Sequence, residues 1–189
     1  MDAKPRKVLL FSGHMIDKPA RSKPRFPPDK EPVAAKAIAD ALDRIAVEPG
    51  DLAICGGACG GDLLFAEAAL ARQLTLAIYL PLEEDEFLEE SIDFAGADWR
   101  TRYFAAKSQA SFHVAPDELG PLGDGENPYE RNNLWMLRVA MSFGSDKLDF
   151  VCLWDGEGGD DRGGTAHLMQ ETSNAGGRTH RLDTTRLWP

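Results

Sequence analysis

Residues 51–73 read DLAICGGACGGDLLFAEAALARQ: a short apolar run, a turn holding four glycines, then a helical pattern. The run DLAICGG at 51–57 has strand length and the near-continuous apolarity of a strand covered on both faces, whereas 62–72 carries helix-period spacing. A glycine-rich turn leading from a strand into a helix has a particular chemistry. With no Cβ in the way, backbone N–H groups can approach an anion's oxygens at the positive end of the helix dipole, so GGACGGD at 56–62 reads as a phosphate cradle. Its candidate ligand contacts are Gly56, Gly57, Ala58, Cys59, Gly60, Gly61 and Asp62. The turn is not the dinucleotide fingerprint, which needs GxGxxG and an acidic residue about 20 positions on, and it lacks the Gly-Lys-Ser/Thr of a Walker motif.

Similar apolar runs lie on either side: KVLLFSG at 7–13, LTLAIYLP at 74–81, ASFHVA at 110–115 and LDFVCLWDG at 148–156. Helix-period segments separate them at 32–46, 97–108, 130–143 and 165–175; in the first, Val33, Ala37, Ile38, Ala41, Leu42 and Ile45 form one face. This alternation predicts an α/β protein, a Rossmann-like three-layer fold with a mainly parallel sheet. The length fits a single domain over residues 1–189, and 43% hydrophobic with 28% charged residues is ordinary for a globular chain. The segment 17–32 is different: KPARSKPRFPPDKEP holds five of the chain's 12 prolines and reads as a basic Pro-rich loop after the first strand.

Ligands of open α/β sheets bind beyond the strand C-termini, and two more glycine turns fall there. Ser12, Gly13 and His14 end the first strand, where a small pair lets backbone approach a ligand or simply turns the chain. Gly163, Gly164 and Thr165 open the last predicted helix as a second cradle, with Thr165 as cap and hydroxyl donor. In PYERNNLW at 128–135, Arg131 and Asn132 stand in a helix's first turn; a cation there fits a nearby anion, or Arg131 is a solvated surface side chain. Cys59, at a helix start, is either a nucleophile or a small residue that fits. The histidines His14, His113, His167 and His180 show no metal-ligand spacing, so neither a metal nor a cofactor is expected.

A net charge of −10 repels polyanions, which disfavours nucleic acid despite the basic loop; single-stranded DNA binding is the third reading. Cys55, Cys59 and Cys152 are odd in number and two sit in strand-like runs, which argues against a disulfide framework and for the cytoplasm. No stretch approaches the ~20 apolar residues of a membrane span.

The succession of strand, GGACGGDLLFAEAALARQ, strand, an ERNN helix and GGT opening a helix resembles the SLOG superfamily, which unites LOG-like phosphoribohydrolases with the DNA-processing protein A fold. The first cradle is similar to the Gly-Gly-Ala-x-Gly-x-Asp segment of the latter; Glu130-Arg131 and Gly164-Thr165 are similar to the LOG family's Arg-bearing helix and PGGxGT motif. The resemblance spans residues 7–182. It implies a Rossmann-like sheet, a homodimer, a nucleotide bound at the strand C-termini and an effector protein or domain acting beside it. For the LOG enzymes it implies N-glycosidic cleavage of nucleoside 5′-monophosphates. Here the sequence departs from the pattern, reading Ala166, His167 and Leu168 where those enzymes carry a glutamate. Glu171 lies six residues beyond Thr165, ~9 Å along the helix axis and on another face, leaving His167, Asp155, Asp160 and Asp161 as candidates for the chemistry. The expected function is therefore sensor-like binding of a nucleotide or nucleotide-derived ligand, its phosphates on Gly56–Asp62, Gly163–Thr165 and Arg131. A phosphoribohydrolase acting on nucleoside monophosphates is the enzymatic alternative.

Overall fold

The structure, a computed structural model, describes residues 4–158 and 164–189. Six strands form one sheet: β1 (Val8–Gly13), β2 (Leu52–Cys55), β3 (Thr75–Leu80), β4 (Ala110–Val114), β5 (Leu148–Trp154) and β6 (Arg178–Asp183). Every pairing is parallel, in the spatial order β4-β3-β2-β1-β5-β6. The helices are α1 (Glu31–Ile45), α2 (Gly61–Ala71), α3 (Glu84–Ser91), α4 (Ala97–Lys107), α5 (Ala115–Leu119), α6 (Pro128–Ser142), α7 (Thr165–Asn174) and α8 (Thr184–Leu187).

Two apolar cores explain the unbroken apolar strands. Successive side chains of a strand point to opposite faces. Leu9, Phe11, Ala53, Cys55, Ile78 and Val151 accordingly enter one core with α1 and α2, while Val8, Leu10, Ile54, Ala77, Phe150 and Cys152 enter the other with α6. Helices thus cover both faces, giving the three-layer Rossmann-like arrangement. The buried stripe of α1 is Ala34, Ile38, Ala41, Leu42 and Ile45, and Val33, expected on that face, is exposed. Residue 33 lies one position, or about 100° of helix rotation, before the first residue that reaches the sheet.

Two elements, α3 and β6, come from segments whose periodicity is masked by charge. α3, EDEFLEES, buries only Phe87, Leu88 and Ser91. β6, RTHRLD, is an edge strand, so most of its side chains meet solvent rather than a helix. Its register on β5 is fixed by ions: Asp149, 1% exposed, accepts from Arg178 (2.7 Å) and lies 2.8 Å from the His180 ring. Burial alone would raise the Asp149 carboxyl, but hydrogen bonds from Arg178 and His180, with the charge of Arg178, hold it down at about 2.

The basic loop after β1 is pinned at a neck. Asp17 Oδ2 accepts from the N–H groups of Arg25 and Phe26 (both 2.9 Å), and Asp17 N–H donates to Phe26 O (2.9 Å). Phe26 is buried and stacks on Trp188 at 5.3 Å between ring centroids. The loop also contains a 3₁₀ turn, Pro28–Lys30, that feeds directly into α1. Lys23 pairs with Glu157, so the loop is tied to the segment leaving β5.

Candidate functional site

The sheet order reverses between β1 and β5, neighbours in space whose chains leave toward opposite sides. At such a switch point no crossover fills the space beyond the strand ends, and a crevice is left. Ser12 and Gly13 end β1 on one side, while α7 begins on the other with Gly164 as its N-cap. The hydroxyls of Ser12 and Thr165 are 3.5 Å apart across the crevice. His14 follows, its N–H donating to Leu153 O (3.0 Å), and its Nε2 accepts from the Asp155 backbone N–H at 3.1 Å. An accepting Nε2 means a neutral ring. Burial, assisted by the charge of Arg25, lowers the His14 pKa and favours that form against the pull of Asp155. Asp155, whose carboxyl lies 3.3 Å from the same ring, is opposed by burial, yet the hydrogen bond from the Glu157 N–H brings it below the usual carboxylate range.

The glycine turn between β2 and α2 is packed on several sides, and three of its amides serve the fold. Ala58 N–H donates to Asp62 Oδ2 (3.2 Å), Cys59 N–H to Ser91 O (2.9 Å) and Gly61 N–H to His14 O (3.1 Å). At Gly60 the chain leaving β1 comes so close, Met15 bridging Gly60, that a Cβ would lie 2.6 Å from Ile16 N. Gly57, at φ +77°, faces Ile78. Cys59 is fully buried and its thiol is pushed up to about 12, so it stays protonated.

Beside this turn, beneath the first turns of α6, is a pocket of about 180 Å³. Its polar lining includes Ser12, Asp62 and Asn132, and its apolar walls include Met15, Phe87 and Met136. Asn132 is 2% exposed; its Nδ2 donates to Tyr79 O at 2.8 Å, and its Oδ1 has no partner. A buried acceptor left unmade costs about 1–3 kcal/mol, so this is an energetically unfavourable group maintained at the mouth of the sheet. Burial pushes the Asp62 carboxyl up to about 7, the Ala58 N–H acting against it. A buried and a half-buried acceptor at a strand-end pocket, the second poised near neutrality, mark a functional-site candidate on physical grounds.

Of the residues singled out in the sequence, Ser12, Gly13, Gly56, Ala58, Asp62 and Asn132 line this one pocket. His14, Gly164 and Thr165 belong to the adjoining crevice, while Gly57, Cys59, Gly60 and Gly61 shape the turn. Arg131 is elsewhere. Its guanidinium donates to Gly120 O (2.9 Å) and Pro121 O (3.0 Å), bracing the loop before α6, and it lines a separate groove with Arg138. His167 is half-buried in the first turn of α7. Gly163, with Asp160 and Asp161, lies outside the described residues. Phe87, Ser91 and Tyr129 go unmarked as a group in the sequence; Tyr129 donates to Glu90 (2.8 Å) and lies 3.2 Å from the Ser91 hydroxyl, joining α6 to α3 over the pocket. Among the described residues no group of three or more His, Cys, Asp or Glu could hold a metal ion, and no helix is long and apolar enough to cross a membrane.

No protein-family model and no curated protein matches the chain. Among solved structures it is similar to DNA processing protein A from Streptococcus pneumoniae, at 14% identity and a TM-score of 0.48, over 94% of this chain and 52% of that one. It therefore spans about half of that protein's length. It is also similar to the structural-genomics target TM1055, at 14% identity and a TM-score of 0.41, over 95% of this chain and 94% of that one. Likenesses of this degree carry no argument about ligand or activity; the chain is an α/β protein with a six-stranded parallel, Rossmann-like sheet.

Proposed function

We propose that the chain binds a nucleotide or nucleotide-derived ligand at the β1/β5 switch point, as a sensor-like domain. The observation that carries this reading is the crevice itself: the start of α7 sets the Thr165 hydroxyl across from that of Ser12, next to a pocket lined by the acceptors Asp62 and Asn132. The first-turn amides of a helix favour an anion, so the phosphate belongs at Gly164-Thr165. The glycine turn, with three amides committed and the Asp62 carboxylate folded over it, is a poor second phosphate site and instead forms the floor beside the ligand.

Calorimetry with AMP, ADP and NAD tests this. Ser12→Ala combined with Thr165→Val is expected to weaken the phosphorylated ligand about 10- to 100-fold, matching ~1.5–3 kcal/mol for charge-assisted hydrogen bonds, and to leave adenosine nearly unaffected. Arg131→Ala is expected to leave both affinities unchanged, since its donors hold carbonyls of the loop before α6. The absence of binding by every nucleotide at millimolar concentration would remove the reading.

One observation favours a hydrolytic role as the second reading: Asp155, ionised and next to the neutral His14, stands at the C-terminal end of β5. A carboxylate there could orient a water against the sugar carbon of a nucleoside monophosphate. Release of free base from AMP at ~1 s⁻¹ or faster would favour this enzyme over the sensor.

A further inference from the structure

The pocket beneath α6 has a polarity that the anion site at α7 lacks. The orientation of the Asn132 amide is not arbitrary, because the atom 2.8 Å from Tyr79 O must be the donating nitrogen. The carbonyl oxygen is therefore the end left without a partner, in a side chain that is 2% exposed and lines the pocket. Asp62 adds a carboxylate to the same lining. Acceptors without donors of their own line this half-closed space, and they call for a group that brings donors. We propose that this pocket is a subsite for the 2′,3′-hydroxyls of a ribose, with Asn132 Oδ1 and the Asp62 carboxylate as the accepting groups.

The walls and the size fit that occupant. Phe11, Met15, Phe87 and Met136 offer apolar surface to the carbon frame of a sugar. About 180 Å³ is smaller than the ~300–1,000 Å³ of sites that hold a whole drug-sized ligand, so only a compact fragment enters. Ser12 lines this pocket and also lies 3.5 Å from Thr165, so it stands between the two halves of the site. A nucleotide with its phosphate at the start of α7 would lay its sugar toward Asn132. The inference rests on the nucleotide reading for the source of the ribose, but the pocket's own chemistry is that of paired hydrogen-bond donors, which an amino group on a base could also supply.

The test pairs calorimetry with the ¹⁵N side-chain resonance of Asn132 in the folded protein. AMP is expected to bind at least 10-fold more tightly than its 2′,3′-dideoxy analogue, and the difference to shrink below 3-fold in Asn132→Leu and in Asp62→Asn. The second variant keeps the shape of the side chain, so it covers the case in which Asn132→Leu fails to fold. D-ribose alone at high millimolar concentration is expected to shift the Asn132 resonance. Equal binding of AMP and the dideoxy analogue would overturn the subsite while leaving nucleotide binding intact. A ribose-induced shift with no nucleotide binding would retain the subsite and remove the nucleotide reading. Loss of affinity on replacing AMP by IMP, with the dideoxy analogue unaffected, would assign the acceptors to a base amine and overturn the ribose.

Discussion

Gly60→Ala is expected to lower the unfolding free energy by about 3 kcal/mol or more, measured by urea denaturation. The residue sits at φ +100°, ψ −126°, a conformation that L side chains avoid at a cost of roughly 1–2 kcal/mol. The larger part is steric. A Cβ would lie 2.6 Å from Ile16 N and 3.0 Å from both His14 O and Met15 C, all of them backbone atoms that cannot swing aside. Relieving the clash means lifting the chain after β1 off the turn, which strains the bonds from Ile16 N–H to Cys59 O (3.3 Å) and from Gly61 N–H to His14 O (3.1 Å). Gly50→Ala is the control. Its φ is +86° but nothing lies within 4 Å of the position, so only the backbone strain of about 1 kcal/mol is expected. Similar costs for both variants would mean that the turn and the β1 exit are not held together.

Asp62→Asn is expected to stabilise the protein at pH 8 and to change little at pH 4. The carboxyl has an ordinary value of 3.8, which applies to the unfolded chain, and about 7 in the fold, raised by burial. Between those values the folded protein keeps a proton that the unfolded chain has lost, so stability falls as pH rises from about 4 to about 7 and stays at the lower level above. At ~1.4 kcal/mol per pH unit the full effect is on the order of 4 kcal/mol; Asp62 is only partly buried, so about 2–4 kcal/mol is expected. In the variant the side-chain amide oxygen still accepts from Ala58 N–H, so the turn keeps its shape. Denaturation curves from pH 4 to 9 read this directly: the variant's stability should vary less with pH over that span than the parent's. A parallel response in the two proteins would mean that Asp62 is well solvated.

The fold was legible wherever burial wrote a pattern. Strands covered on both faces are unbroken apolar runs, and each helix against the sheet repeats at the helical period, so β1 to β5 and the helices α1, α2, α4, α6 and α7 could be placed to within about two residues. β6 escaped because its partners are charges, Asp149 with Arg178 and His180, and α3 because acids flank its two apolar residues. At the site, residue type and loop position identified Ser12, Gly56, Asp62 and Asn132, which strand ends bring together. Sequence could not separate Arg131 from Asn132. They are neighbours on one helix, yet about 100° apart around its axis, so Asn132 turns to the sheet and Arg131 to the loop before α6. Nor could it show that the glycine turn spends its amides on the fold, since that depends on where α3 and the β1 exit pack.

β6 carries one more consequence. A parallel sheet ends in strands whose outer N–H and C=O groups can template another chain, and this sheet ends in β4 and β6. Along β6 run Arg178, Thr179, His180 and Arg181, with Asp149 on the neighbouring strand paired with Arg178 and in contact with the His180 ring. Both arginines are matched by carboxylates, Arg178 by Asp149 and Arg181 by Asp183, so a strand added there would run alongside ion-paired side chains rather than an apolar edge. A short, charged and ion-paired border of this kind discourages extension of the sheet into a continuous fibre-like ribbon.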